Sequence, residues 1–314
     1  MEEYLVTGAA GPIGTAVVGL LAEQRKQIRV LLPEGEKTML PAAVERVTGD
    51  IRDREALKRF FEGTSGKRVV IHAASRWSDT RRYDPAVYDD NATGTRHLTD
   101  LCERFQVERL VYVGSLRALD GTGTPAPAAA GGVFAESMAE GALAVLESVG
   151  RGLDATLLYM GELIGPFDRE ASPLTRTVID YCGGRLTAGI RGEYAVVDVK
   201  SAARAVLACC EKGQTGGGYI LAGYPTSAAN FFDCLQDITG QKDALPVWSA
   251  RKADFLTWLA KAARRAGPHM ACPPLPDRVR LSSDRAENEL GYTAKPLRKL
   301  LEETIQWLEE TKRI

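Results

Sequence analysis

Short apolar runs alternate with helix-spaced apolar positions along the first half of the chain. Residues 4–7, 28–32, 44–48, 69–73, 110–113 and 155–159 read as strands. Between them, apolar positions recur at helical spacing over 15–23, 53–61, 85–105 and 133–149. Strands and helices in strict alternation predict a parallel, doubly wound sheet with right-handed crossovers. After Gly165-Pro166 the alternation breaks. Strands are expected there at 193–199 and 218–222, and helices at 201–212, 227–240, 250–265 and 296–312, with a loop over 267–276.

The join between the first strand and the first helix is rich in glycine. Gly8, Gly11 and Gly14 follow the apolar run Tyr4-Leu5-Val6-Thr7 directly and open the first helix. A glycine at the first position permits a sharp turn, one at the second lets the backbone approach a pyrophosphate, and the third allows helix and strand to pack closely. The free N–H groups and dipole of the helix start then favour the phosphate charge. The pattern predicts a Rossmann-type α/β domain over residues 1–165. A smaller, mostly helical part over 166–314 is expected to bind substrate, with a soft boundary that the chain crosses more than once.

Composition narrows the partners. Apolar content of 45%, charged content of 26% and a net charge of −1 describe an ordinary globular chain with no basic surface for nucleic acid. No apolar run approaches membrane-spanning length, and since the sequence as given goes straight into a strand, a chain without a signal peptide is expected. Cys102, Cys182, Cys209, Cys210, Cys234 and Cys272 lack a paired metal spacing, and with only three histidines a metal site is not expected. Read as reduced thiols, they suggest a cytoplasmic location.

The chain resembles the extended short-chain dehydrogenase/reductases, the NAD-dependent epimerase/dehydratase family, and within it the dihydroflavonol-reductase-like and sugar-epimerase branch. Thr7-Gly8-Ala9-Ala10-Gly11-Pro12-Ile13-Gly14 looks like the family's glycine motif, Asn91-Ala92-Thr93-Gly94-Thr95 its helix motif, and Val113-Gly114-Ser115 the strand bearing its active-site serine. Gly161-Glu162-Leu163-Ile164-Gly165-Pro166 and Glu289-Leu290-Gly291-Tyr292 are further landmarks. The resemblance implies a dinucleotide lying along Gly8, Ala10, Gly11, Pro12, Ile13 and Gly14. It also implies Asp50 and Ile51 at the adenine, His72-Ala73-Ala74 as the loop over the cofactor, and Asn91 nearby. Family members often pair through the helices after the fourth and fifth strands, so a homodimer is one expected assembly.

The catalytic phrase departs from the family's Tyr-x-x-x-Lys. Phe134-Ala135-Glu136-Ser137-Met138-Ala139-Glu140 aligns without a gap, placing Phe134 at the tyrosine and Met138 at the lysine. The family's tyrosine exchanges a proton with the substrate oxygen as hydride moves, and the lysine charge lowers a phenol pKa of about 10 toward neutrality. Phenylalanine has no exchangeable proton, and methionine offers no charge and only a weak acceptor. Where the family often has Arg-Pro, this chain has Tyr159-Met160.

Several other residues are candidates for chemistry or binding. Glu34, in the turn after the second strand, would hydrogen-bond a ribose and repel a 2′-phosphate, which favours NAD over NADP; a solvated turn explains it equally well. Ser115 and Tyr159 are the remaining candidates for catalysis, although a packed core tyrosine also accounts for Tyr159. Trp77, Arg81, Arg82 and Tyr83 suit an anionic or aromatic ligand or a solvated loop, and residues 122–132 read as a mobile loop beside the site. The helix around Lys252–Arg265 carries Phe255, Leu256, Trp258 and Leu259 beside basic residues; it reads as a lid, with a membrane surface or a partner as alternatives.

Three functional readings remain. The chain is a dinucleotide-binding protein without turnover, an oxidoreductase or epimerase with an unusual proton donor such as Tyr159, or a standard enzyme whose acid lies elsewhere. In each its partner is a small molecule.

Overall fold

In the computed structural model the chain opens on β1 (Glu2–Thr7), followed by α1 (Pro12–Glu23), β2 (Gln27–Leu32), β3 (Glu45–Thr48), α2 (Arg54–Phe61) and β4 (Lys67–His72). The described residues are 2–314 apart from Lys37, Met39, Ser65, Arg81, 128–131, Glu170, Arg264 and 277–281. Next come α3 (Pro85–Tyr88), a π-helical turn at Asp89–Thr93, α4 (Gly94–Arg104), β5 (Arg109–Ser115), a 3₁₀ turn at Leu116–Ala118, α5 (Val133–Gly150) and β6 (Ala155–Met160). The remainder is β7 (Glu162–Ile164), α6 (Pro173–Cys182), β8 (Gly189–Ile190), β9 (Glu193–Asp198), α7 (Val199–Lys212), β10 (Gly218–Leu221), β11 (Tyr224–Ser227), α8 (Ala228–Thr239), β12 (Val247–Trp248), α9 (Ala250–Ala262), α10 (Asp284–Leu290) and α11 (Leu297–Glu310).

These elements form two compact units, and the chain passes between them repeatedly. The first holds residues 1–160, 200–221 and 278–293. Its sheet has seven strands in the order β10-β6-β5-β4-β1-β2-β3, with every neighbouring pair parallel. The order reverses between β1 and β4, and ligands in such sheets sit beyond the carboxyl ends of the strands at that reversal. The central strands are apolar on both faces: Leu5, Val6, Val30, Val70, Ile71, Leu110 and Val111 are completely or almost completely buried. Local signals set the helix starts. Asp53 accepts from the Glu55 N–H at 2.9 Å to cap α2, and Asp84 accepts from Ala86 at 3.0 Å to cap α3.

The second unit holds residues 161–199, 222–277 and 294–314. It contains a three-stranded sheet, β11-β9-β7, and a pair, β12-β8. Tyr194, Phe231, Leu174, Val178, Leu300 and Leu301 fill its core. Two features differ from the sequence pattern. Residues 85–105 read as one helix but are interrupted by the π turn at Asp89–Thr93, and the helix expected over 250–265 ends at Ala262. Among the described residues no helix is long and apolar enough to cross a membrane, and no cluster of side chains is suited to a metal.

Candidate functional site

The site lies where β1 delivers the chain into α1. Gly8 has φ +70°, a conformation that side chains other than glycine avoid, and its carbonyl accepts from the Gly11 N–H at 3.0 Å. A Cβ on Gly8 would stand 2.4 Å from the Ala73 carbonyl carbon, and one on Gly14 would stand 2.1 Å from the Gly8 oxygen. Packing within the protein therefore demands both glycines. Gly11 is different: its φ of −70° suits any residue, and an added Cβ would meet nothing closer than the Gly8 oxygen at 3.4 Å. The open space above Gly11 is a cradle that a methyl group would fill. Gly11 is also the N-cap of α1, whose first turn has no side-chain cap and no acid. Its N-terminal partial charge is left to an outside anion, which fits the pyrophosphate of a dinucleotide. Ala10 and Pro12 are half-buried beside it and Ile13 is buried.

A ladder of charge runs along the edge expected to meet adenine. Arg52 grips Asp50 through Nε at 2.9 Å and Nη2 at 2.5 Å, and its Nε also lies 3.2 Å from Asp90, which Arg76 pairs from the other side. The hydrogen bonds from Arg52 hold the Asp50 carboxyl below the usual carboxylate range. Ile51 packs against Gly94, where a Cβ would come within 2.8 Å of it. Glu34 is exposed in the turn closed by the Glu36 N–H donating to Pro33 at 3.2 Å.

His72 is wholly enclosed at the end of β4. Nδ1 lies 2.7 Å from the Thr7 hydroxyl and Nε2 2.8 Å from that of Thr95, so both ring nitrogens are engaged inside the protein. Burial pushes its pKa down to about 4, leaving a neutral ring. His72 thus ties β1 to α4, and the backbone of Ala73 and Ala74 carries the loop against Gly8. Asn91, buried in the π turn, accepts from the Arg76 N–H at 2.7 Å, donates to the Arg76 carbonyl at 3.0 Å and donates to Ser137 at 2.9 Å.

Phe134 and Met138 sit one turn apart on α5, and both are buried. The Phe134 ring packs on Trp77 at 4.5 Å, and the Arg117 guanidinium lies over the other aromatic partner, Trp77, at 5.3 Å. Arg117 is itself buried, on the 3₁₀ turn that follows Ser115. The Met138 carbonyl accepts from the Tyr112 hydroxyl at 3.0 Å. Ser115 accepts from the Arg117 N–H at 3.2 Å, leaving its own hydrogen available to a ligand. Tyr159 pairs with Gly114 in register, and its ring covers the space above Gly114 and Gly218. Burial raises its pKa above the usual phenol value. Since Ser115 is the next residue along β5, its side chain leaves the opposite face of the sheet from Tyr159.

The structure thus packs the backbone of Ala73 and Ala74, just after β4, against Gly8 of the β1–α1 turn that also holds Gly11 and Gly14, and links Asn91 to α5. It does not bring Ser115 and Tyr159 together. Of the loop after β4, Trp77 reaches α5 while Arg82 and Tyr83 are exposed, and Arg81 lies outside the described residues. Residues 128–131 of the expected mobile loop also lie outside them. Arg52, Arg76, Arg117 and Ser137 went unread in the sequence; a cation two residues beyond a central strand was the available signal for Arg117.

The family model for the NAD-dependent epimerase/dehydratase family matches residues 4–222. The chain belongs to that family, whose cofactor is NAD. Among its relatives, "Sterol demethylase protein B" of Methylococcus capsulatus is 28% identical over 246 residues, 75% of this chain and 74% of that protein. A "Putative dihydroflavonol 4-reductase" of Synechocystis is 24% identical over 332 residues, 98% and 94% of the two chains. Among solved structures, gox2253 superposes with a TM-score of 0.80 at 24% identity over 99% of both chains. The UDP-glucose 4-epimerase of Thermus thermophilus, solved with NAD, gives 0.78 at 21% identity over 98% and 99%.

Proposed function

We propose that this chain is an NAD-binding member of the family that holds its ligands without carrying out the family's hydride and proton exchange. The observation that carries the reading is the pair on α5: Phe134 stands against Trp77 where the family has a phenol, and Met138 is buried where it has a lysine. NAD, when bound, supplies a hydride acceptor. The groups of this chain then determine whether a proton can follow, and Phe134 has none to give or take. A positioned acid or base contributes on the order of 10²–10⁴-fold in rate. What remains suits binding: the Gly11 cradle for the pyrophosphate, Asp50 at the adenine once it is shared with Arg52, Glu34 for the ribose, and the Ser115 hydroxyl toward a small-molecule ligand.

The alternative is an oxidoreductase or epimerase using Tyr159. Its raised pKa and its place beneath the strand ends, on the face of the sheet opposite Ser115, oppose that role. Pairing of two copies through α4 and α5 would cover the half-exposed Arg96–Glu147 and Arg151–Glu103 pairs, so sedimentation velocity at raised and lowered salt tests that assembly. Calorimetric titration with NAD, NADH, NADP and NADPH tests the proposal, together with absorbance assays of NADH consumption on secondary alcohols, ketones and nucleotide sugars. Binding that favours NAD without turnover supports it. No binding of any dinucleotide at millimolar concentration, or rapid hydride transfer, would overturn it.

A further inference from the structure

Helix α9 turns its aromatic side chains to water. Its inward stripe is Ala253, Leu256 and Ala260, of which only Ala253 is fully buried. Four, seven and eleven residues beyond Arg251, on the opposite stripe, stand Phe255, Trp258 and Ala262. Phe255 is 57% exposed, Trp258 63% and the neighbouring Leu259 47%. The rings of Phe255 and Trp258 stack at 6.1 Å, so the exposed groups form one continuous ridge. Scattered single apolar residues on a surface are ordinary, but a ridge of three large ones on a single helix is not.

The charge around the ridge selects its partner. Arg251, Lys252, Lys261 and Arg265 are all exposed and surround the aromatic side chains, against the single acid Asp254. The Lys252 ammonium lies over the Trp248 ring at 4.5 Å. A symmetric contact with a second copy would bring four cations against four cations. An anionic lipid surface complements both parts at once: aromatic rings enter the boundary between headgroups and acyl chains, while Lys and Arg stems reach back to the phosphates. At 13 residues the helix is about 20 Å long and suits lying in the interface plane. We infer that α9 is a membrane-docking helix that seats the protein on anionic lipid bilayers through Phe255, Trp258 and Leu259.

The test uses the full chain and vesicles of phosphatidylcholine with or without phosphatidylglycerol, read by co-sedimentation and tryptophan emission. The expected result is binding to the anionic vesicles with a blue shift, weakening as salt rises. Phe255→Ser with Trp258→Ser should reduce affinity by about tenfold or more for each ring removed. Arg251→Gln and Lys261→Gln should each cost about fivefold on anionic vesicles. These positions are exposed, so unchanged melting temperatures confirm that the variants are folded. Absence of binding to anionic vesicles, or equal binding by the wild type and the double serine variant, overturns the inference. So does self-association in sedimentation velocity, without lipid, that the double serine variant abolishes, because the ridge would then belong to a second copy.

Discussion

Gly8 and Gly11 stand three residues apart in one turn, yet alanine should act on them in opposite ways. At Gly8 the φ of +70° costs a non-glycine residue about 1–2 kcal/mol. The new Cβ would also stand 2.4 Å from the Ala73 carbonyl carbon, so backbone must move, at about 1–3 kcal/mol. Gly8→Ala should therefore lose on the order of 2–5 kcal/mol of stability, and melting should fall by about 3–8 °C. At Gly11 the backbone conformation is allowed and the nearest protein atom is 3.4 Å away. Gly11→Ala should leave stability unchanged or raise it by about 0.4–1 kcal/mol through the unfolded chain. Its methyl group would occupy the phosphate cradle and displace one charge-assisted hydrogen bond, worth about 1.5–3 kcal/mol, a loss of roughly ten- to a hundredfold in NAD affinity. Gly11→Asp, which sets a carboxylate against the pyrophosphate, should abolish binding. Scanning fluorimetry with and without NAD, followed by calorimetry, separates the two effects. The reasoning fails if Gly11→Ala binds NAD like the wild type, or if it melts as low as Gly8→Ala.

Three further predictions concern α5, β6 and β4. Phe134→Tyr alone should restore little NADH-dependent turnover, since a phenol without a neighbouring cation keeps a pKa of about 10, whereas Phe134→Tyr with Met138→Lys should exceed the product of the single effects. Single-variant activity equal to that of the double variant would contradict this. Tyr159→Phe should leave NAD affinity unchanged and abolish no activity; hydride transfer by the wild type that vanishes in this variant would establish a relocated acid. His72 is neutral in the fold with its pKa near 4, while the unfolded ring takes its proton near 6.5. The unfolded chain therefore binds the extra proton in that window. The stability it contributes is complete above pH about 6.5 and is lost as the pH falls toward about 4, amounting to about 3 kcal/mol. Urea midpoints across that range should decline in the wild type and decline less in His72→Gln. An identical decline in the variant would assign it to other groups, such as His97, whose pKa is also lowered by burial.

The β–α alternation and the glycine turn were legible because a period of two or 3.6 and a φ above zero both leave marks in residue type. Partnership leaves none. The π turn at Asp89–Thr93 was hidden inside one apolar period, since the extra residue shows only in which carbonyl the Gly94 N–H reaches: that of Asp89. β8 and β12 are two residues each and exist only because they pair. α10 is seven residues long and mostly charged or polar, so it carries no apolar period to mark it. At the site, the substitutions at Phe134 and Met138 could be read directly against the family phrase. That Phe134 meets Trp77, or that Arg52 also reaches Asp90, depends on segments brought together from distant parts of the chain. In α9 the apolar positions were visible but the side facing water was not, because periodicity identifies a stripe without saying which way it turns.

Asn91 has a mechanical consequence. Its three side-chain hydrogen bonds join the peptide of Arg76, on the loop that crosses the dinucleotide site, to Ser137 beside Met138. Each is worth about 1 kcal/mol, so shifting the loop alone would cost a few kcal/mol, comparable with what a ligand can supply. Loop and helix therefore behave as one lever with Asn91 as its pin. A ligand that displaced this loop would pull on α5 through the same three bonds. On the function proposed above, a helix with no proton to exchange would still be tied through Asn91 to the loop that follows β4.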